Sequence, residues 1–210
     1  MKLPVQNGGI IPVAPQAAVR MMRSFSTYML EKQNQEAPLP KPEEPEETVP
    51  SLEEFTVRFV EHTRQFPWLV WEEEGQILGY AYASRPWSRP GYSWDAGISI
   101  YLAPQIHGKG IGRKLCTALE EILWRQGYRC IYSVITSSNE GSIAFHKHLG
   151  YRFVAEFPGC GYKHGQRLGT VWLEKQANFV DYPYSFPVPW YTVVENDGEL
   201  HDILDSLSLS

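Results

Sequence analysis

The stretch QIHGKGIGRKL, residues 105–115, carries three glycines at alternate positions. It follows residues 97–104, GISIYLAP, whose β-branched and aromatic side chains predict a buried strand. It precedes residues 111–126, where apolar side chains recur every three or four positions and predict a helix that ends at Gly127. A glycine turn between a strand and a helix gathers free backbone N–H groups at the positive end of the helix dipole. The stretch therefore predicts either a phosphate site or a tight turn that binds nothing.

Two common nucleotide-binding motifs do not match this stretch. The dinucleotide motif G-x-G-x-x-G requires a third glycine where the sequence has Arg113, counted from Gly108, or Leu115, counted from Gly110. The P-loop motif G-x-x-x-x-G-K-[ST] has no match in the chain. A phosphate bound here would therefore belong to a different kind of ligand.

The composition argues against several other functions. The net charge of −5 and the pI of about 5.7 disfavour a surface for nucleic acid or an anionic membrane, because an acidic protein gains nothing from counterion release. Three cysteines without a CxxC spacing indicate neither a disulfide framework nor a zinc site, and we expect no metal. No apolar run approaches the ~18 residues of a membrane span, and prolines and glycines interrupt the region after Lys2 that a signal peptide would need. We expect a cytoplasmic protein.

Periodicity outlines the remaining elements. Helices are predicted at residues 16–31, 51–65 and 138–150, and strands at 68–72, 77–84, 128–136, 152–162 and 168–175. Between the first two helices, residues 33–50 hold five prolines and five glutamates, which indicates a solvated loop. The order of helices and strands predicts one α/β domain around a mixed sheet.

Residues 177–210 differ in character from residues 1–176, which we expect to form the main domain. Their first part, NFVDYPYSFPVPWYTVV, is too rich in proline for a helix, and the remainder, ENDGELHDILDSLSLS, is acidic. We therefore predict an irregular C-terminal extension. It could fold over a substrate cleft or a neighbouring subunit, but a packed segment that covers a sheet edge is the favoured role.

A second motif, NEGSIAFHKHLGY, follows about 30 residues after the first. It puts Asn139, Ser142 and His146 on one face of the predicted helix. In order and spacing the two motifs resemble those of the GCN5-related N-acetyltransferases, whose first motif, [Gln/Arg]-x-x-Gly-x-[Gly/Ala], would begin here at His107. Within that superfamily the chain is most similar to the phosphinothricin type, through PSLEEF, GYAYAS, RPGYSW, SIYLAP and GYKHG, over roughly residues 3–175.

The resemblance implies an α+β fold, with a mixed, mostly antiparallel sheet flanked by helices, and an enzyme that uses acetyl-CoA. Its acceptor would be a small primary amine, such as an amino acid or an analogue like phosphinothricin or methionine sulfone, that attacks the thioester directly. Relatives are commonly dimers, so a homodimer is expected. The residues that the resemblance assigns to acetyl-CoA are Ile100, Tyr101, Leu102, His107, Gly108, Lys109, Gly110, Ile111, Gly112, Arg113, Asn139 and Ser142.

These assignments imply distinct roles. The backbone of residues 100–102 would pair with the pantetheine arm like an added strand, and the glycines would let the backbone approach the pyrophosphate. Lys109 and Arg113 would add positive charge near the 3′-phosphate. Asn139 would reach the cofactor or an ordered water, or would simply cap its helix.

The catalytic residues are assigned less completely. His146 stands where the phosphinothricin group carries histidine, and with an unperturbed pKa near 6.5 it could act as a proton donor to the thiolate or as a base. The glutamate that this group usually carries is missing, because Gly97 stands in its place. Asp95 lies two residues earlier and could act through a water. For the acceptor, the resemblance assigns Arg89, Tyr92, Trp94 and Tyr162, of which Arg89 suits a substrate carboxylate.

Two other functions stay open. The chain has Gly97 where a glutamate is usual, and Arg167 and Gly169 where the family tends to have tryptophan and aspartate. These departures would also fit a catalytically silent module that binds acyl-CoA. An enzyme that acetylates the N-terminus of a peptide or protein is the second alternative.

Overall fold

The computed structural model describes residues 8–12, 52–163, 165–178 and 185–209. The helix predicted at 16–31 and the loop predicted at 33–50 lie outside the described residues. In chain order the elements are β1 (Gly9–Pro12), α1 (Leu52–His62), β2 (Trp68–Glu73), β3 (Gln76–Ser84), β4 (Asp95–Leu102), α2 (Ile111–Gln126), β5 (Cys130–Thr136), α3 (Glu140–His148), β6 (Arg152–Lys163), β7 (Gln166–Gln176), α4 (Trp190–Asn196) and α5 (Gly198–Leu209).

The strands form a single sheet in the order β1-β2-β3-β4-β5-β7-β6. Neighbouring strands are antiparallel except β4 and β5, which are parallel. Helix α2 supplies the crossover that a parallel pair requires. The predicted mixed, mostly antiparallel sheet flanked by helices is confirmed.

Helix α2 provides the centre of the core. Its fully buried side chains include Leu115, Leu119, Ile122 and Leu123, and they share one hydrophobic cluster with Leu69, Ala81, Ile131 and Leu173 of the sheet. Each buried leucine contributes about 2 kcal/mol. The helix ends as predicted at Gly127, whose φ is 102° and whose N–H donates to the carbonyls of Leu123 and Trp124. The opposite face of the sheet is covered in part by α1, through a second cluster of Phe59, Trp68, Val70 and Tyr80.

Strand β4 begins and ends two residues earlier than predicted. Asp95 and Ala96 join the parallel ladder opposite Cys130 and Ile131, and this pairing extends the strand at its start. At its other end, Pro104 opens a 3₁₀ turn that interrupts the extended backbone. The shift brings Asp95 into the strand itself.

The C-terminal extension is helical from Trp190 onward, which corrects the prediction of an irregular segment. All prolines of the extension precede Trp190, and Pro189 stands at the start of α4, where its missing N–H costs nothing. Beyond it, Trp190, Leu200 and Leu204 are buried in the same core as α2. Helices α4 and α5 both contact α2, and α5 also contacts the edge strand β1. Burial against these elements, which local composition does not reveal, stabilises the two helices.

Candidate active site

A wedge opens between the two parallel strands at the centre of the sheet. They pair only through residues 95–97 of β4 and 130–132 of β5. Beyond this, β4 stays paired with β3 as far as Leu102, and β5 stays paired with β7 as far as Thr136. Within the described chain, the facing backbone groups of β4 and β5 past these pairs make no ladder with each other. An extended ligand can therefore add to this side of β4 as a strand would.

The glycine loop lies at the open end of β4. Gly108 and Gly110 have φ values of 74° and 79°, a region that residues with a side chain rarely adopt, and a Cβ atom at either position would meet no atom within 4 Å. Gly110 directly precedes the 16-residue helix α2, whose first turn contains no acidic residue. The first N–H groups of this helix have no acceptor within the helix itself and fit a pyrophosphate.

Gly112 has a different role from the other two glycines. A Cβ atom there would lie 3.1 Å from Leu102 Cδ1 and 3.4 Å from the ring of Phe145. This glycine therefore lets α2 approach both the end of β4 and helix α3. His107 also acts within the protein, since its Nε2–H donates to the carbonyl of Leu102 at 3.1 Å. Both residues therefore make contacts within the protein that shape the loop.

Helix α3 begins at an asparagine cap. The side-chain oxygen of Asn139 accepts a hydrogen bond from the N–H of Ser142 at 3.1 Å. The capping role considered for Asn139 is thus observed in the structure. The side chain of Asn139 is exposed. The carbonyl of Ser142 in turn accepts a hydrogen bond from His146, the candidate catalytic residue of this helix.

His146 is only 2% exposed, and its protonation state follows from its contacts. Its Nδ1 lies 2.9 Å from the carbonyl of Ser142, which can only accept, so Nδ1 carries the proton. Nε2 is buried and has no hydrogen-bond partner among the described residues. Burial lowers the pKa of His146, an effect partly offset by the hydrogen bond to Ser142. A neutral imidazole with a free Nε2 is a proton acceptor.

Asp95 lies on the same face of β4 as Gly97. Gly97 pairs with Tyr132 of β5, and Tyr132 pairs with Glu174 of β7, so a second carboxyl lies on this face of the sheet. Glu174 is 6% exposed. Burial and the nearby charge of Glu174 raise the pKa of Asp95 to about 6. A carboxyl that titrates near neutral pH is suited to general base catalysis.

Glu174 is a candidate site residue that the sequence did not reveal. It pairs with Arg152 and accepts a long hydrogen bond from the thiol of Cys130, with 3.7 Å between Sγ and Oε2. Burial raises the pKa of Cys130 to about 12, so this thiol stays neutral beside the carboxyls. Alternation along β7 could have shown which face Glu174 occupies. Only the register of three strands shows that it lies near Asp95.

The loop before β4 folds over the same face. Trp87 contacts the rings of Tyr132 and Trp172, with centroid distances of 4.9 and 6.0 Å, and the ring of Tyr92 at 5.3 Å. Trp87, Ser88, Arg89 and Tyr92 line a pocket of about 400 Å³. The structure thus brings the predicted residues Arg89 and Tyr92 beside the carboxyl-bearing face.

The other two predicted acceptor residues lie differently. The indole N–H of Trp94 donates to the carbonyl of Ser185, and its ring stacks on Phe186, so Trp94 faces the C-terminal extension. Tyr162 is exposed in β6 opposite Arg167. Among the described ring contacts, Tyr162 does not join the cluster around Trp87.

A larger pocket of about 720 Å³ lies between α2, the end of α3 and β7, and its lining includes Glu174 and Arg152. Arg113 and His148 contribute to its lining. Glu120, which is buried, pairs there with Lys175 at 2.6 Å. The pocket borders the glycine loop through Arg113 but does not coincide with the wedge.

Two findings concern the whole described part of the chain. None of its helices is long and apolar enough to cross a membrane. Its histidines, cysteines and acidic residues also form no group of three or more that could hold a metal ion.

Comparison with known proteins agrees with this geometry. Residues 21–172 match the model of the acetyltransferase (GNAT) domain. The chain is 34% identical over 126 residues to the phosphinothricin N-acetyltransferase of Streptomyces viridochromogenes, which covers 60% of this chain and 64% of that protein. It is 35% identical over 113 residues to an L-methionine sulfoximine/L-methionine sulfone acetyltransferase of Salmonella typhimurium, which covers 54% and 66% of the two chains.

A solved structure gives a longer match. The phosphinothricin acetyltransferase of Sinorhizobium meliloti, determined in complex with acetyl-CoA, superimposes with a TM-score of 0.66 and 28% identity, over 86% of this chain and 98% of that one. The chain therefore belongs to the GNAT acetyltransferase family. Its match to the two curated relatives spans less than two thirds of their length.

Proposed function

We propose that the chain is an acetyl-CoA-dependent N-acetyltransferase whose acceptor is a small primary amine, such as an amino acid or an analogue like phosphinothricin or methionine sulfone. The main support is the wedge between β4 and β5, which opens directly beside the glycine loop. The relatives, which are acetyltransferases of phosphinothricin and of methionine sulfoximine or methionine sulfone, favour a small amine.

In this proposal the donor binds along β4. The backbone of residues 100–102 pairs with the pantetheine arm, and the loop from His107 to Arg113 surrounds the pyrophosphate. Lys109 and Arg113 are exposed beside this loop and contribute positive charge. Ser142 and Asn139 support the cofactor from the start of α3, through the cap that also orders His146.

The amine approaches from the face that carries Asp95. The ammonium loses one proton to Asp95 through a water, and the free nitrogen attacks the thioester carbonyl. A C–N bond forms, the C–S bond breaks, and sulfur leaves as a thiolate. The second proton of the nitrogen passes to Nε2 of His146 and from there to the thiolate. Arg89 pairs with a substrate carboxylate when the acceptor is an amino acid.

Thiol release tests this function. The purified protein is incubated with acetyl-CoA and a panel of amino acids, methionine sulfone, phosphinothricin, simple amines and short peptides. We expect a small amine to accelerate thiol release well above hydrolysis. If calorimetry shows tight acetyl-CoA binding but no amine accelerates release, the chain is a silent acyl-CoA-binding module. Preference for peptides would instead favour the N-terminal acetyltransferase alternative.

We expect His146→Ala to lower kcat by about 10²-fold, because Nε2 is lost as a proton acceptor. The Kd of acetyl-CoA should change by less than about twofold, since the proposed role of His146 is proton transfer and not binding of the pyrophosphate at the glycine loop. His148→Ala is the matched control, because His148 is exposed on the same helix and donates to the carbonyl of Ala144. Equal kcat values for the two variants would remove the proposed role of His146.

A cytoplasmic location and a homodimer are also proposed. The cysteine usage supports the location, and the resemblance to enzymes that commonly dimerise supports the dimer.

A further inference from the structure

Residues 188 and 190 of the C-terminal extension are held by hydrogen bonds to the ends of two helices. The N–H of Val188 donates to the carbonyl of Gln126 at 2.9 Å, and Nε2 of Gln126 donates back to the carbonyl of Val188 at 2.7 Å. The same Nε2 donates to the carbonyl of Gln65 at 2.8 Å. The indole N–H of Trp190 donates to the carbonyl of Thr63 at 2.7 Å. The segment is thereby fixed between the ends of α1 and α2.

From this anchored segment, two residues reach the start of β4. The carbonyl of Ser185 accepts a hydrogen bond from Nε1 of Trp94 at 2.9 Å. The ring of Phe186 stacks on the ring of Trp94, with centroids 5.1 Å apart and planes 18° apart. Phe186 is 67% exposed, so burial alone does not account for its position. Its observed ring contact is with the indole.

Trp94 connects the extension to the candidate acceptor site. Its carbonyl accepts hydrogen bonds from the N–H groups of Arg129 and Cys130, and these bonds begin the parallel ladder. Asp95 follows it directly, and the loop that carries Arg89 precedes it. A shift of Trp94 would therefore move both the candidate base and the acceptor loop.

The family resemblance does not supply this contact, because the match to the family model ends at residue 172, before the extension. We propose that Ser185 and Phe186 are positioning residues for the acceptor, which act by holding Trp94 and, through it, Asp95 and the loop with Arg89. This inference rests on the proposed N-acetyltransferase function. It makes the extension a part of the acceptor site and not only a cover for the core.

Steady-state kinetics of Phe186→Ala test the proposal. The acceptor is L-methionine sulfone, or the fastest amine of the panel if that is a different one. We expect the KM for the amine to rise about 3- to 10-fold, the equivalent of losing one aromatic pair. The Kd of acetyl-CoA and the thermal midpoint should stay unchanged, because the wedge and the core are not touched. Phe186→Tyr, which keeps a ring, should restore the parent KM.

Tyr191→Ala is the matched control, since Tyr191 is an exposed aromatic residue of the same extension. It should leave every parameter unchanged. An unchanged amine KM in Phe186→Ala, with transfer by the parent intact, overturns this inference alone. A fall in acetyl-CoA affinity and thermal midpoint together with the rise in KM shows a merely structural role and also overturns it. Absence of transfer by the parent overturns the proposed function and this inference with it.

Discussion

Gly110→Val should weaken acetyl-CoA binding by at least about 100-fold. Gly110 has a φ of 79°, which a β-branched residue cannot adopt without strain. The space beside its Cα is free of protein atoms within 4 Å, so a valine side chain would occupy room that the pyrophosphate needs. Calorimetric titration with acetyl-CoA measures the effect.

Gly75→Val separates ligand exclusion from backbone strain. Gly75 has the same φ of 79° and equally open surroundings, but it lies in the turn between β2 and β3. Both variants should lose about 1 kcal/mol or more of stability from the unfavourable φ. Only Gly110→Val should lose affinity for acetyl-CoA. Normal binding by Gly110→Val would show that the glycine loop does not hold the donor.

Asp95→Asn should lower kcat by at least about 10²-fold, the usual contribution of a general base. Its pKa of about 6 means that the parent gains activity as the pH rises through about 6, where the carboxylate forms. The substitution should not reduce stability. A carboxyl whose pKa is raised by folding destabilises the folded state once the pH exceeds its ordinary pKa of 3.8, so its removal relieves that cost near neutral pH. Full activity with an unchanged pH profile would exclude Asp95.

Glu174→Gln provides the companion measurement. Without the negative charge of Glu174, the pKa of Asp95 should fall, although burial will still hold it above its ordinary value. The acid limb of the kcat profile should then move to lower pH, while kcat on the plateau changes little. The thiol of Cys130 stays neutral at these pH values, so it does not change the direction of this shift. An acid limb that stays in place would show that Asp95 does not control the pH dependence.

Much of the fold could be predicted because its signals are local. The helix α2 and the hairpin of β2 and β3 appear as short repeats of apolar residues, with glycines at their ends. The prediction of an irregular extension is wrong because it gives too much weight to the prolines, which all precede Trp190. The residues beyond Trp190 contain no proline and form helices. Its helices depend on burial of Trp190, Leu200 and Leu204 against α2 and β1, contacts between residues far apart in the chain.

The candidate site likewise has one part that the sequence predicted and one part that depends on the tertiary structure. The sequence alone determined the glycine motif and the family, because spacing within one turn and one helix is a local property, and it identified Asp95, Gly97 and His146 as positions to examine. Only the tertiary structure decided the rest. Strand register brings Glu174 beside Asp95, a backbone carbonyl leaves the free Nε2 of His146 as an acceptor, and the extension reaches Trp94. Each depends on the spatial arrangement of separate segments, which no single stretch of sequence encodes.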